Sequence, residues 1–391
     1  MKNNKKIIKI CLYLFFTMII ISGCWDNKDI NQRNFISAMA IDKAADGKVE
    51  LTLQVLRPNI IRANIEQGTK ERSIWVSTTE GETIFEAVRD QLKVINRKPF
   101  YNYLRIIFIG EDLAKDGIND IIDFFIRNSE VRLIPKVIIT KGMDAKKIIM
   151  ADSELDNIPT LHLEGILKNN VSEAKTRDID LIGVAHDLTS ARGYGVIASA
   201  IGQNETLENI KDYKIEGTAV FLKDKLAGYL DTTETRGFLF IKDEVDSGII
   251  NVENPLEKNK LVAIEIKKTS GNMKVVMREK GIILKVDVKI RAALGEEQGK
   301  ADLAREENIK KLENEIENEI KREIKRIVDL AQNKFKYDFF GFSNKVYEKY
   351  PNYWDEIKDN WEEEFSQLPL ETNIKVKIDR TERIAEPIIA Q

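Results

Sequence analysis

The chain has 391 residues and a mass of 44.8 kDa, more than one compact domain usually needs, so two or three domains are expected. A composition of 43% hydrophobic and 32% charged residues with only eight prolines excludes disordered, collagen-like and multi-span membrane proteins. The formal net charge is −3, but four lysines and no acidic residue lie in the first 23 residues; the rest therefore carries −7 and is a poor binder of nucleic acid.

Residues 1–23 have the organisation of a bacterial signal peptide. A positively charged start is formed by Lys2, Lys5, Lys6 and Lys9. An apolar stretch follows over Ile10–Ile21, interrupted only by Thr17. This stretch is shorter than the roughly 20 apolar residues that a membrane-spanning helix needs, and polar residues follow it at once, so permanent spanning is not expected.

The leader ends in Ile21-Ser22-Gly23-Cys24, which resembles the lipobox of bacterial lipoproteins. The resemblance implies that the Cys24 thiol receives a diacylglycerol and that Cys24 becomes the mature N-terminus. Two or three acyl chains hold a protein at a bilayer far better than one. The other cysteine, Cys11, would leave with the leader, so neither a disulfide nor a thiolate metal site is expected. An uncleaved signal anchor or an ordinary secretory leader is the alternative.

After a polar tether over residues 24–34, the first half alternates predicted strands and helices. An apolar, small-residue run over Phe35–Ile41, a turn at Asp46-Gly47 and alternating apolar residues over Val49–Val55 predict a β-hairpin with one face buried. Further strands are predicted over Ser73–Thr78, Leu104–Ile109 and Val137–Thr140, and helices over Glu82–Ile95 and Ile118–Phe125. This order predicts an N-terminal α/β domain over residues 35–205, with a boundary in the polar stretch Ser199–Asp212.

Residues 206–391 are predicted to be α+β, with a further division expected near residues 251–260. A hairpin over Gly217–Tyr229 and half-buried antiparallel strands over Val262–Ile266 and Leu284–Ile290 precede a long amphipathic helix over residues 301–335. Its apolar residues Leu312, Ile316, Ile320 and Ile324 step by four, which exceeds the 3.5-residue coiled-coil repeat and favours a helix laid on its own sheet. A second helix over Trp354–Phe365 and a strand over Ile374–Ile378 complete a multi-domain α+β fold with antiparallel-rich sheets.

No catalytic, cofactor-binding or metal site is predicted. His162 and His186 are 24 positions apart with no cysteine nearby, so they lack zinc-ligand spacing. Gly193-Tyr194-Gly195 lacks the third glycine of a dinucleotide loop and is interpreted as a turn. Glu362-Glu363-Glu364 is interpreted as the solvated face of a helix rather than a metal site. A non-enzymatic protein without a cofactor is expected.

The segment Cys24-Trp25-Asp26-Asn27-Lys28-Asp29-Ile30 resembles the start of the spore-germination receptor C-subunit lipoproteins, the Ger(x)C family, with Asp29 in place of the usual Glu. The likeness continues along nearly the whole chain, through Phe35–Asp42, Ile109–Ile118, Gly217–Leu230, Asp338–Phe342, Tyr350-Pro351, Trp354 and Trp361. Members often have a His before the Leu that begins the apolar strand. Tyr103 stands there in this chain, so no role of that His is carried over.

The resemblance implies a mixed α/β fold in three domains and a lipoprotein on the outer face of the spore inner membrane. It also implies two polytopic membrane partners, one of them similar to an amino-acid permease. On this hypothesis Cys24 tethers the body to the bilayer, and the body supports receptor assembly or signalling. Trp25 and Asp26 are candidates for docking on a membrane partner; processing or a place at the headgroup interface is the equal alternative. A solute-binding lipoprotein of a transporter and an exported envelope enzyme are the other functions considered.

Overall fold

The computed structural model describes residues 33–68, 71–151, 156–189, 197–203, 213–279, 281–300, 303 and 305–379. The strands are β1 (Arg33–Lys43), β2 (Val49–Leu56), β3 (Ile74–Gly81), β4 (Lys98–Phe100), β5 (Ile106–Ile109), β6 (Lys136–Thr140), β7 (Ile197–Gln203), β8 (Tyr213–Leu222), β9 (Lys225–Leu230), β10 (Gly248–Glu253), β11 (Leu261–Arg278), β12 (Gly281–Glu297) and β13 (Leu370–Asp379). The helices are α1 (Pro58–Gln67), α2 (Ile84–Asp90), α3 (Glu111–Asp116), α4 (Asn119–Arg127), α5 (Ala145–Met150), α6 (Pro159–Ser172), α7 (Leu181–Thr189), α8 (Thr232–Lys242), α9 (Glu306–Leu330), α10 (Phe342–Lys349), α11 (Pro351–Ile357) and α12 (Trp361–Gln367).

The first sheet is mixed and has the strand order β3-β2-β1-β5-β6-β7-β8-β9, with β4 beside the start of β1. The predicted hairpin is confirmed: β1 and β2 pair antiparallel, and Gly47 in their turn has a φ of 86° that favours glycine. The central strands β1, β5, β6 and β7 pair in parallel. Helices cover both faces, because α2, α3, α4 and α7 pack on one buried cluster and α5 and α6 on another.

The end of β1 is fixed by a buried carboxylate. Asp42 is 5% exposed and its two oxygens accept the backbone N–H groups of Ala145 and Lys146 at 2.7 and 2.8 Å, where α5 begins. Burial raises the pKa of Asp42, and the two hydrogen bonds oppose that rise. A Cβ on Gly110 would lie 2.2 Å from Oδ1 of Asp42, so glycine is required after β5. The likeness segments Phe35–Asp42 and Ile109–Ile118 therefore meet at a structural contact.

The second sheet has the order β10-β11-β12-β13, with a long antiparallel β11–β12 hairpin and a parallel β12–β13 pair. Alternate residues are buried over Val262–Ile266 of β11 and along β12, as the sequence pattern predicts for a sheet with one face on a core, and β10 follows the same alternation. Together the two mixed sheets and their helices confirm the predicted α+β class.

Helix α9 lies on the second sheet, as its four-residue apolar spacing predicts. The apolar residues that face the core are Leu312, Ile316, Ile320, Ile324 and Ile327, and all are at most 1% exposed. Its glutamates also cover the free edge of β13: Glu317 Oε1 accepts the Val376 N–H at 3.1 Å, and Glu313 Oε1 accepts the Ile378 N–H at 2.9 Å. An edge strand covered in this way is protected from pairing with another chain.

Several local expectations differ from the structure. The helix predicted over Trp354–Phe365 is broken into α11 and α12 by a 3₁₀ turn over Lys358–Asn360. The polar stretch predicted as a boundary contains the end of β7, and β8 and β9 also belong to the first sheet. The division at residues 205 and 206 stays a prediction, as does the further division near residues 251–260. In the described part of the chain, no helix is both long and apolar enough to traverse a bilayer.

Candidate functional site

The residues predicted for lipidation and docking, Cys24, Trp25 and Asp26, lie outside the described residues. The last two residues of the predicted tether, Arg33 and Asn34, are the first two of β1. Arg33 pairs in register with Lys98 of β4, and its guanidinium lies 4.7 Å from the centre of the Phe100 ring. Nine peptide steps separate Cys24 from Arg33, so a fully extended chain spans at most about 32 Å between them. The start of β1 therefore lies within that distance of the predicted anchor.

A groove runs between α2 and α4 and is called the α2–α4 groove. It encloses about 990 Å³. Its apolar lining comes chiefly from Ile84, Phe85 and Val88 on one side and from Ile121 and Phe124 on the other. The rings of Phe85 and Phe124 lie 6.3 Å apart at an angle of 59°, which is a favourable aromatic pairing. The groove is therefore an apolar cleft on the face of the first sheet that α2, α3, α4 and α7 cover.

Large apolar side chains are exposed in this groove. Phe85 is 54% exposed and Leu92 is 48% exposed. Each directly follows a buried residue: Phe85 follows Ile84, and Leu92 follows Gln91. Scattered exposed apolar residues are ordinary, but several that line one groove mark a binding surface.

The rim of the α2–α4 groove is acidic. It carries six acidic side chains against the three basic side chains of Arg89, Lys98 and Arg127; the acidic ones are Glu82, Asp116, Asp120, Asp123, Glu130 and Asp224. Four of the six lie within 4 Å of a basic group: Asp123 pairs with Arg127 at 2.6 Å and Glu130 with Lys98 at 2.5 Å. Asp116 pairs with Lys43 at 2.6 Å, and Glu82 lies 3.8 Å from Lys48. Asp120 is exposed in the first turn of α4 and has no ion-pair partner among the described residues. Asp120 and Asp224, which have no ion-pair partner among the described residues, are therefore the rim charges that favour a cationic ligand.

A buried hydroxyl lies beside this groove. Tyr101 is 4% exposed, and its Oη has no hydrogen-bond partner among the described residues. Burial raises the pKa of this phenol; the nearby charge of Glu130 adds to the rise and that of Arg89 opposes it. Tyr101 and both charged residues line the groove. An unsatisfied buried hydroxyl costs roughly 1–3 kcal/mol.

Two segments that carry the family resemblance meet at one end of the α2–α4 groove. The Ile118 N–H donates to the Asp224 carbonyl at 2.9 Å, which ties the start of α4 to the β8–β9 turn. A Cβ on Gly117, whose φ is 140°, would lie 2.6 Å from Oδ2 of Asp224. Gly117 and Asp224 both line the groove.

The segment Asp338–Phe342 has a structural role. Oδ1 of Asp338 accepts the N–H groups of Gly341 and Phe342 at 3.0 and 3.1 Å, and Oδ2 accepts those of Ser343 at 2.7 Å and of Trp361 Nε1 at 3.2 Å. Burial raises the pKa of Asp338, while these four hydrogen bonds oppose the rise. The carboxylate therefore caps the start of α10 and joins it to α12.

The junction between the first and second sheets contains a buried cation. The guanidinium of Arg177 donates to both oxygens of Glu244, which follows α8, and to Oδ2 of Asp187 at 3.0 Å in α7. Its burial disfavours the charged form, but the two carboxylates keep the pKa of Arg177 above its ordinary value. Such a buried, fully paired cation is a structural link rather than a catalytic group.

The histidines do not come together. Nδ1 of His162 in α6 lies 3.5 Å from Oδ2 of Asp156, and His186 is 72% exposed in α7 beside Asp187. Within the described ranges, no three His, Cys, Asp or Glu side chains are grouped so that they hold a metal ion.

The remaining sequence candidates are also placed. The three residues Glu362–Glu364 are exposed between the buried Trp361 and Phe365, which confirms the predicted solvated face. Gly193-Tyr194-Gly195 lies outside the described residues. Tyr103, which replaces the family His, packs edge-on to Phe35 with ring centres 6.3 Å apart.

The α2–α4 groove was not predicted from the sequence. The pattern Ile84, Val88 and Leu92 indicates one buried helical face, but the helix ends at Asp90 and Leu92 points to solvent. The signal available in the sequence was Phe85, a large aromatic residue off the apolar face. Phe85 lines a groove only because the tertiary fold places α4 opposite α2.

Two family models match the chain. The model described as "Spore germination protein N-terminal domain" matches residues 26–202, and "Spore germination B3/ GerAC like, C-terminal" matches residues 216–382. Together they cover most of the chain.

Curated relatives align over nearly the full length. Spore germination protein B3 of Bacillus subtilis (strain 168) is 26% identical over 93% of this chain and 96% of its own length. From the same organism, spore germination protein KC is 25% identical over 97% of both chains, and spore germination protein A3 is 26% identical over 93% of this chain and 95% of its own. A solved structure, titled "Crystal Structure of the GerBC protein", has the same fold with a TM-score of 0.57 and 22% identity, covering 87% of this chain and 96% of that one.

Proposed function

Because the chain belongs to the family of germinant-receptor C-subunits, we propose that it is the lipid-anchored subunit of a nutrient germinant receptor and that it catalyses no reaction. The observation that carries this proposal is the full-length match: both family models and the named spore germination proteins align across the chain. Its acidic and basic clusters serve structural contacts, as at Asp42, Arg177 and Asp338, and this supports a non-enzymatic role.

Cys24 is the proposed anchor. The lipobox Ile21-Ser22-Gly23-Cys24 directly precedes the region that the N-terminal family model matches from residue 26. Diacylglycerol on the thiol, with further acylation at the new N-terminus, supplies the two or more chains that stable anchoring requires. Arg33, the first residue of β1, then lies within about 32 Å of the acylated Cys24.

The proposed partners are two polytopic membrane subunits, one similar to an amino-acid permease, and the proposed place is the outer face of the spore inner membrane. In this arrangement the permease-like subunit recognises the nutrient and the lipoprotein supports assembly and signalling. Trp25 and Asp26, directly after the anchor, are proposed to touch a membrane partner or the headgroup layer. Since the relatives described above are named as spore germination proteins, the solute-binding alternative is not favoured.

The anchor is tested by Cys24→Ala in sporulating cells, with Cys11→Ala as the matched control. We expect the Cys24 variant to leave the membrane fraction and to lower nutrient-triggered germination, because it has no acceptor for the lipid. The Cys11 variant changes only the leader and is expected to behave as wild type. Membrane retention and normal germination of the Cys24 variant would contradict the tether.

The receptor role is tested by affinity isolation of the tagged full-length chain from detergent-solubilised spore membranes and from vegetative membranes. We expect two polytopic proteins, one of them permease-like, to be recovered from spores. Recovery of an ATP-driven permease from growing cells, or of no membrane partner, would contradict the proposal.

A further inference from the structure

We propose that the α2–α4 groove binds an extramembrane segment of a polytopic receptor subunit, one that carries an aromatic or branched apolar side chain flanked by lysines or arginines. The existence of the polytopic partner rests on the function proposed above. The place of contact and the chemistry of the segment follow from the groove itself.

The apolar part of the segment is expected to cover Phe85 and Leu92. These side chains are 54% and 48% exposed although they line a cleft of about 990 Å³, with Phe124 opposite Phe85. Removing exposed apolar surface from water in a cleft is favourable, and aromatic side chains are common anchors at such sites.

The basic part of the segment follows from the charge of the rim. Four of its six acidic side chains lie within 4 Å of a lysine or arginine nitrogen, but Asp120 and Asp224 have no ion-pair partner among the described residues. An acidic rim attracts a cationic segment and disfavours an acidic one. It also disfavours an anionic lipid surface as the occupant, since headgroup phosphates would meet like charge.

The position of the groove favours a membrane partner over a soluble one. Lys98 and Pro99 form part of the lining, and they pair in register with Arg33 and Asn34 at the start of β1. Neighbouring strands lie about 4.8 Å apart, so this end of the groove is beside the residue from which the chain leads back toward Cys24. With at most about 32 Å of chain between Cys24 and Arg33, the groove is held close to the membrane surface, where the extramembrane loops of a polytopic protein are concentrated.

The contact is tested by photo-crosslinking in sporulating cells that make the full-length tagged chain. A benzophenone amino acid replaces Phe85 in one strain. In the control strain it replaces Ile249, an equally exposed apolar residue of β10 in the second sheet, 49% exposed. We expect position 85 to form an adduct with a polytopic protein, within a segment that contains at least two lysines or arginines, and position 249 to form none. An adduct with lipid, with a second copy of this chain or with a soluble protein, or no adduct at all, would overturn the proposal.

The charge requirement is tested by Asp120→Lys, with Glu307→Lys as the matched control. Each replaces an exposed acidic residue in the first turn of a helix, α4 or α9, so the effect on helix stability is similar. We expect Asp120→Lys to lower the recovery of the polytopic partner about fivefold and Glu307→Lys to leave it unchanged. Equal recovery with both variants would overturn the role of the rim.

These outcomes distinguish a failure of the groove proposal from a failure of the proposed receptor function. If the wild-type chain recovers the polytopic partner but position 85 does not crosslink to it, the groove proposal fails and the receptor function stands. If the wild-type chain recovers no polytopic protein from spore membranes, the proposed function itself fails.

Discussion

Arg177 and Glu244 form a two-bond ion pair across the junction of the two sheets, with Nε to Oε2 at 2.8 Å and Nη2 to Oε1 at 3.0 Å. Arg177 follows α6, whereas Glu244 follows α8, 67 positions later in the chain. The same guanidinium lies 5.5 Å from the centre of the Phe238 ring of α8. Arg177 therefore links the segment between α6 and α7 to helix α8, which lies between the two sheets in the chain.

Removing this link is expected to destabilise the fold. Arg177→Met leaves Asp187, which is 11% exposed, without its cation, so the free energy of unfolding should fall by about 2–4 kcal/mol. Urea denaturation of the chain without its first 23 residues measures the change. Arg291→Met is the control: its pair with Asp379 is 64% and 43% exposed, and its loss should cost less than about 1 kcal/mol. Equal effects would show that the junction pair stabilises no more than a surface pair.

The crossing of α8 and α9 requires glycine at one position. A Cβ on Gly237 would lie 2.6 Å from the backbone carbonyl oxygen of Glu323, so Gly237→Ala should lower the free energy of unfolding by about 1–3 kcal/mol. Gly165 in α6 has nothing within 4 Å of its Cβ position, and Gly165→Ala should raise the free energy of unfolding by about 0.5–1 kcal/mol. Thermal denaturation of the two variants checks the opposite signs. A neutral Gly237→Ala would mean that the helices can separate without cost.

Replacing Asp338 is expected to lower the free energy of unfolding more than most single substitutions would. Asp338→Ala leaves the N–H groups of Gly341, Phe342 and Ser343 and the Trp361 indole without their acceptor, so a loss of about 3–5 kcal/mol is expected. Asp338→Asn keeps one acceptor oxygen and should lose less. Tryptophan fluorescence during urea unfolding measures the stability of both variants, and a loss below about 1 kcal/mol for the alanine variant would contradict the capping role.

A pH dependence is expected from Lys242. Burial, and then the positive charge of Arg177, lower the pKa of its amine below the ordinary 10.5. In the window just below 10.5 the unfolded chain holds more protons than the folded chain, so the free energy of unfolding rises with pH there. Lys242→Met removes this contribution, and its unfolding free energy should rise less steeply than that of wild type over the same window. Parallel pH profiles would contradict the assignment.

The unsatisfied hydroxyl of Tyr101 predicts a stabilising substitution. Tyr101→Phe removes a buried group that has no partner among the described residues, so the free energy of unfolding should rise by about 1 kcal/mol. Tyr229→Phe is the matched control, because its hydroxyl donates to the Thr140 carbonyl at 2.9 Å and its removal should cost about 1 kcal/mol. Differential scanning calorimetry compares the two, and a loss for Tyr101→Phe would show that its hydroxyl has a partner in the folded chain.

Local periodicity was enough to predict most elements. The alternation in β11 and β12 and the four-residue steps of α9 each gave the right structure and the right buried face, because one repeat reports one face. The alternation in β2 gave the strand but not its burial: Thr52 and Gln54, on the face expected to be exposed, are at most 1% exposed, and Gln54 donates to the Ile149 carbonyl of α5. Periodicity was less reliable where a polar side chain is buried. Gln91 is fully buried, and its side-chain amide forms hydrogen bonds with Thr79 Oγ1 and Ser77 Oγ. Leu92, which the apolar spacing placed on the buried face, is 48% exposed instead.

The sequence by itself determined the α+β class and the family, since these depend on local patterns and on motifs spread along the chain; it also predicts the leader and its lipobox, which stay a prediction. Only the tertiary structure decided which strands pair in parallel, that Asp42 and Asp338 are helix caps, and that Phe85, Phe124 and Asp120 share one groove. The physical reason is that a hydrophobic repeat states which face must be buried but not which distant segment buries it, and docking surfaces are built from segments that meet only after folding.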